Sequence, residues 1–289
     1  MLYRIAGLSL RLEGLNSSYV EYRMKKYAQA AGGSDSADLC VSFRENDAIN
    51  VPAGKYFCRL DAWYWIDRGE DGYTGIKQVT DYRINLVRVD IDKSCSHVTV
   101  EYLDVKDKAE FTTDYMLHYV LGDVFAFCQT LRRATVLHSA AMAYGGRAVL
   151  FSAPSETGKS THTKLWKQFY QDDVVLFNDD TPVIRLKDDQ IFACGTPWSG
   201  KTEINENNEY PLAGIVFLKQ ASTNTIRRLS SAEAVANMLS QTRKPIFEGL
   251  MDQHMDILLE ILQKVPVYEL GCTISREAVD LVKDTLFQE

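Results

Sequence analysis

The stretch Ala148-Val149-Leu150-Phe151-Ser152-Ala153-Pro154-Ser155-Glu156-Thr157-Gly158-Lys159-Ser160-Thr161 decides how this chain is to be read. Four apolar residues suited to a buried strand run into a loop with Ala at its head, four residues, and then Gly-Lys-Ser. That is the relaxed form of the phosphate-binding loop pattern. Successive main-chain N–H groups must curl round a polyphosphate, Gly158 lets the backbone approach it, and a helix opening at Lys159 turns its positive end to the anion. The pattern arises by chance in roughly 2% of chains this long, and the strand before it and helix-compatible residues after it lower that further. Ala153 through Thr161 are therefore the expected nucleotide-binding residues: Ala153, Pro154, Ser155, Glu156, Thr157, Gly158, Lys159, Ser160 and Thr161. Lys159 is expected to reach the β and γ phosphates of a polyphosphate, and the Ser160 hydroxyl to hold Mg2+. Ala153 stands where Gly is common, and Glu156 adds a negative charge, expected to point away.

Upstream, Tyr144-Gly145-Gly146-Arg147 reads as a two-residue hairpin whose central residues take positive φ. Pairing Tyr144 with Arg147 makes partners sum to 291, which sets His138 opposite Ala153 and places an imidazole at the mouth of the loop. Downstream, Asp173 to Phe177 reads as a strand ending in Asn178-Asp179-Asp180, where an α/β sheet presents ligand-binding residues. Adjacent side chains at a strand end cannot point the same way. One aspartate is expected to accept a proton and the other to hold Mg2+ directly or through water. Asp188-Asp189 is read as a hairpin turn without chemistry.

Further out, period-two alternation marks strands at Tyr3 to Leu10, Leu39 to Phe43, Phe57 to Trp65, Tyr82 to Ile91 and His97 to Leu103. A helix is expected at 18 to 30, stopped by Gly32 and Gly33, and an amphipathic helix at 114 to 132 with Asp114 as N-cap. After it come strands at 136–143, 147–152, 173–177 and 213–219. Two or three helices are then expected to close the chain, one announced by Ser230 and Glu233 in capping-box spacing and the last following Ser275. The expected fold class is α/β (α+β), with a β-rich part at 1–133 and a phosphate-loop domain with a mixed central sheet at 134–289.

The 289 residues, 46% hydrophobic and 25% charged, fit one large or two small globular domains rather than a fibre or a disordered chain. With 32 basic against 39 acidic residues the net charge is −7, which argues against nucleic acid as a partner. Apolar runs are short and the N-terminus lacks a signal-peptide core, so a cytoplasmic protein without a membrane partner is expected. The six scattered cysteines read as reduced packing residues, and His97, His118, His162, His254, Trp63 and Trp65 as structural. The sequence leaves a homo-oligomer open.

Taken together, Leu137-His138-Ser139-Ala140, the Gly-bearing hairpin, the loop at 152–161 and the Asp-Asp pair resemble the catalytic domain of the HPr kinase/phosphorylase family. The phosphate loop of that family is itself similar to that of phosphoenolpyruvate carboxykinase. The resemblance covers about residues 134 to 220. It implies an HPr-kinase-like phosphotransferase in which Lys159 and Ser160 bind ATP and Mg2+, Asp179 is the general base, His138 contacts phosphate and Asp180 is left to the metal. In place of the family's next signature stands Gly195-Thr196-Pro197-Trp198-Ser199-Gly200-Lys201. Trp198 and Lys201 there are candidates for contact with substrate or nucleotide, and Glu203 is a weaker candidate for a second metal. The expected function is an ATP-dependent kinase acting on a serine-like hydroxyl of a protein, peptide or small molecule. The alternative is a nucleotide- or phosphate-binding accessory module without transfer.

Overall fold

Near-continuous burial along the strands of the C-terminal half shows how its core is built. In the hairpin strands Ser139–Tyr144 (β10) and Arg147–Ser152 (β11), and in Glu209–Gln220 (β15), consecutive buried residues belong to two different apolar clusters. Ala141, Ala143, Ala148, Leu150, Ile215 and Phe217 join one, while Met142, Val149, Phe151, Val216 and Leu218 join the other. Period two therefore sends alternate side chains to opposite faces of one central sheet, each covered by helices. Trp166, Val279 and Val282 cover one face from helices Lys159–Tyr170 (α3) and Arg276–Leu286 (α6). Met238, Ile257 and Ile261 cover the other from Ser231–Gln241 (α4) and Leu250–Lys264 (α5).

The computed structural model describes residues 1–30, 36–60, 62–79, 84–104, 112–245, 247 and 249–288. The contacts divide the chain into two compact units, Met1–Leu131 and Arg132–Glu289. Each carries one mixed sheet, so the fold is of the mixed α/β (α+β) kind.

In the first unit eight strands are Leu2–Ile5 (β1), Leu8–Glu13 (β2), Leu39–Glu45 (β3), Lys55–Leu60 (β4), Trp63–Asp67 (β5), Tyr73–Val79 (β6), Ile84–Ile91 (β7) and His97–Tyr102 (β8). Their order is β1-β2-β3-β8-β7-β6-β5-β4. Helices Ser18–Met24 (α1) and Thr113–Phe127 (α2) complete the unit, and Trp65 on β5 meets Phe127 edge to face with centroids 5.2 Å apart. Four expectations change here, the first being that the strand expected at Phe57 to Trp65 is two antiparallel strands, β4 and β5. The first helix is seven residues followed by a single tight turn, and the Gly32 and Gly33 assigned to its end lie outside the described residues, as does Tyr82. The N-cap of α2 is Thr112, whose side chain accepts from the Tyr115 N–H, so Asp114 lies in the first turn. Strand β6 was not read, because Gly75 breaks its alternation. A Cβ there would sit 2.7 Å from the Trp65 ring, so the indole needs the glycine.

In the second unit the order is β12-β10-β11-β15-β14-β13-β9, with Val267–Cys272 (β17) added parallel to β15 and Thr225–Arg228 (β16) outside it. The remaining strands are Ala134–Val136 (β9), Val174–Asn178 (β12), Val183–Lys187 (β13) and Gln190–Cys194 (β14). The expected single strand at 136–143 is two strands parted at Leu137–His138: β9 pairs with β13, and β10 with β11 and β12. The closing stretch, expected to be helical, holds β16 and β17 between and beside its helices. Ser230 and Ser275 are N-caps, their side chains accepting from the Glu233 and Ala278 N–H groups, and β17 lies between the helices they cap. The six cysteines are free thiols, and among the described residues no helix is long and apolar enough to cross a membrane.

Buried histidines give the fold a pH dependence. His162 is 3% exposed, its Nε2 accepts from Trp166 Nε1 at 3.3 Å, and burial holds its pKa down to about 4. Burial also lowers His254 to about 4. A folded-state value below the unfolded 6.5 means that the unfolded chain takes the proton first, so the stabilisation is complete above pH 6.5 and is lost as pH falls towards 4. His162 alone accounts for on the order of 3 kcal/mol across that window. Urea unfolding at pH 7 and pH 4.5 is expected to show the loss, and His162→Gln to flatten part of it.

Candidate active site

The hairpin Tyr144-Gly145-Gly146-Arg147 turns with both glycines at positive φ, 56° and 74°, and Tyr144 pairs with Arg147. The register runs without a slip to Ser139 opposite Ser152. His138 and Ala153 are the next residues on each side, and Ser152 Oγ donates to the His138 carbonyl at 2.8 Å. The strand β11 thus delivers the loop beside the imidazole.

Beyond Ser152 the chain leaves the sheet, turns through exposed Pro154, Ser155 and Glu156, and enters α3 at Lys159. Two residues take the left-handed conformation, Glu156 at φ 65° and Gly158 at φ 112°, which lets the chain turn tightly. Thr157 ties the loop to itself, its Oγ1 donating to the Pro154 carbonyl at 2.9 Å, and Gln220 Nε2 donates to the Thr157 carbonyl at 3.4 Å. Among the described residues, no acceptor within the chain meets the N–H groups of Glu156, Gly158, Lys159, Ser160 or Thr161. The loop and the first turn of α3 therefore offer a row of uncommitted donors at a positive helix end. Lys159 is 8% exposed and its Nζ donates to the Ala153 carbonyl at 2.9 Å, across the base of the turn. Burial lowers the pKa of this ammonium, and the nearby charge of Asp180 opposes the effect.

The other wall comes from β12. Its last residue, Asn178, is 1% exposed and acts as a hub. Its Oδ1 accepts from the N–H groups of Asp180 (3.0 Å) and Thr181 (2.8 Å), forming an Asx turn that bends the chain out of the sheet. Its Nδ2 donates to the Thr196 carbonyl at 3.0 Å, and Thr181 Oγ1 donates to the Trp198 carbonyl at 2.5 Å. The two aspartates then diverge. Asp179, 7% exposed, accepts from Gly200 N–H at 2.6 Å, Thr202 N–H at 3.1 Å and the Thr202 hydroxyl, so its carboxylate is committed to the 200–202 segment. The Asp180 side chain is 38% exposed, and its Oδ1 lies 3.4 Å from His138 Nε2.

Of the expected residues, His138, Lys159 and Asp180 are thereby brought together around the loop at 153–161. Asp179 is turned to anchoring a neighbouring loop, because the two loop amides and a hydroxyl saturate it. Trp198 is 8% exposed and Lys201 is exposed on that same anchored loop; Glu203 is exposed beyond it. Asn178, Thr202 and Gln241, the last bonded to His138, were not picked out from the sequence. For Asn178 a signal was present: an Asn directly after a strand and before two residues needing a turn favours an Asx turn. Replacing Asp179 by Ala leaves two half-buried N–H groups without their acceptor, at a cost of about 2 kcal/mol. Faster tryptic cleavage after Lys201, with a lower Tm, is the expected readout.

Mg2+ can be tested against these donors. Among the described residues no group of three or more His, Cys, Asp or Glu side chains that could hold a metal ion is gathered. Ser160, a half-buried residue in the first turn of α3 next to the uncommitted N–H groups, offers one hydroxyl, so a Mg2+ ion there would need most of its oxygens from a bound ligand.

The second unit thus sets a Gly-Lys-Ser loop between a strand and a helix, with a histidine and an aspartate paired beside it. The family model described as SynChlorMet cassette protein ScmC matches residues 104–283, more than half of the chain, and the chain belongs to that family. No curated protein matches. Among solved structures the chain is similar to the Hpr(Ser) kinase/phosphatase from Coxiella burnetii, at 11% identity and a TM-score of 0.32, covering 52% of this chain and 87% of that one.

Proposed function

We propose that the second unit binds Mg-ATP at residues 153–161 and transfers the γ-phosphoryl group to a hydroxyl of a protein, peptide or small molecule. The observation that carries this reading is the row of uncommitted N–H groups at the start of α3, with Lys159 folded beneath them and the His138–Asp180 pair beside them.

In this reading the loop amides and Lys159 hold the phosphate tail, and positioning and charge neutralisation supply most of the rate. Ser160 would hold Mg2+ arriving with the nucleotide, and the ion would offset negative charge on the phosphate tail. Asp180, rather than the Asp179 expected from the sequence, takes the proton of the acceptor hydroxyl, because its carboxylate is the half-exposed one of the two. The acceptor oxygen forms its bond to the γ-phosphorus as the bond to the β,γ-bridging oxygen breaks, leaving ADP. His138, its Nε2 3.4 Å from Asp180 Oδ1, holds Asp180 in place beside the loop. Trp198 and Lys201, on the loop that Asp179 anchors, form the acceptor side.

The test is incubation with γ-labelled ATP, Mg2+ and an extract of the host cell. Label appearing on one species with the wild-type protein and not with Lys159→Ala supports the kinase. Nucleotide binding without any labelled acceptor points to the accessory module instead.

A further inference from the structure

His138 is held from two sides, and one of the holders lies far from every motif discussed so far. Its Nε2 faces Asp180, and its Nδ1 lies 3.2 Å from Oε1 of Gln241, 103 residues along the chain. The same residue grips the backbone too: the His138 N–H donates to the Gln241 carbonyl at 2.9 Å. This follows from the break in the sheet. Where β9 and β10 part, neither has a strand neighbour for Leu137 and His138, and the chain leaving α4 fills the gap. Leu137 forms an isolated bridge with Thr242, and the Arg243 N–H donates to the Val136 carbonyl at 3.1 Å. Thr242 is fixed in turn by a contact of its hydroxyl with His254 Nε2 at 3.3 Å. The last carbonyls of a helix have no partner within it, and the His138 N–H supplies one for the end of α4.

An amide oxygen can only accept, so the Gln241 contact requires a hydrogen on Nδ1. Gln241 Nε2 donates to Ser240 Oγ at 3.4 Å, which agrees with its oxygen facing the ring. With Nδ1 tethered, the ring cannot turn about its own axis without breaking a bond, and Nε2 stays aimed at Asp180. We infer that Gln241 is a positioning residue for the transfer proposed above, fixing the direction of His138 and, through it, the presentation of Asp180 to the acceptor hydroxyl. This rests on the kinase reading of the site; the geometry of the ring does not.

The experiment compares Gln241→Leu and Gln241→Met, which remove the oxygen at similar length, with Gln241→Glu, which keeps one. In the oxygen-free variants kcat should fall roughly 10- to 100-fold, as expected for a misplaced reacting group, with KM for Mg-ATP unchanged. Gln241→Glu should recover most of the rate. Nitrogen-15 spectra of histidine-labelled protein at pH 7 should show a hydrogen-bonded Nδ1–H for His138 in the wild type and in Gln241→Glu, lost in the other two. A folded oxygen-free variant that keeps both kcat and the Nδ1–H signal overturns the inference, as does a Gln241→Glu variant no faster than Gln241→Leu. If the wild type transfers no phosphoryl group, the kinase reading fails by itself. The ring spectra then decide whether Gln241 sets His138: loss of the signal in the oxygen-free variants sustains it, and persistence refutes it.

Discussion

Asp180→Asn should leave Mg-ATP bound with nearly wild-type affinity and reduce phosphoryl transfer by about 10²- to 10⁴-fold, the usual range for losing a general base. The substitution is close to isosteric, and the Asp180 side chain is 38% exposed, so folding should be little affected. The main-chain N–H that Asn178 accepts is retained, and the Asx turn with it. What is lost is the group able to take the acceptor proton and the negative partner of His138. Single-turnover transfer at saturating ATP, alongside equilibrium binding, separates the two effects. An accessory module would keep its nucleotide-dependent behaviour in this variant. Asp179→Asn makes the useful contrast: its carboxylate serves Gly200 and Thr202, so its loss should show first in loop protection and stability.

The second large effect is expected at Lys159. Removing the ammonium by Lys159→Ala should cost about 10²- to 10³-fold in transfer, the scale of a lost electrostatic contact to a transferring phosphoryl group, and weaken Mg-ATP binding as well. In the free protein the ammonium spans the base of the loop to the Ala153 carbonyl, in a buried position that lowers its pKa. A cation kept partly desolvated and close to the chain's own carbonyl has an anion as its better partner. Lys159→Arg should not restore activity, since a planar guanidinium cannot occupy the same compact position. Circular dichroism and Tm of the Ala variant check that the loss is local.

The contiguous part of this site was legible in the sequence. Gly-Lys-Ser after an apolar strand carries its own mechanism, and the glycine pair at 145–146 fixes the register of β10 against β11 by counting. What counting could not supply was which of Asp179 and Asp180 is held by another loop. Neighbours at a strand end must diverge, but which one faces the loop depends on the 200–202 segment, twenty residues further on, folding back to saturate Asp179. Gln241 was invisible for a similar reason. Its contact with His138 exists only because β9 and β10 break at Leu137, and that break reads in the sequence as one continuous apolar strand. The strands missed in each unit follow the same logic. Gly75 hides β6, and β17 owes its place to parallel pairing with β15, a partner about fifty residues away.

The most direct test is calorimetric titration of the wild-type protein with Mg-ATP and, separately, with adenosine. A grip centred on the phosphates predicts stoichiometric binding of Mg-ATP that weakens in Lys159→Ala, and little or no binding of adenosine. Absence of Mg-ATP binding, or equal affinity for both ligands with no effect of Lys159→Ala, would contradict a phosphate cradle at residues 153–161.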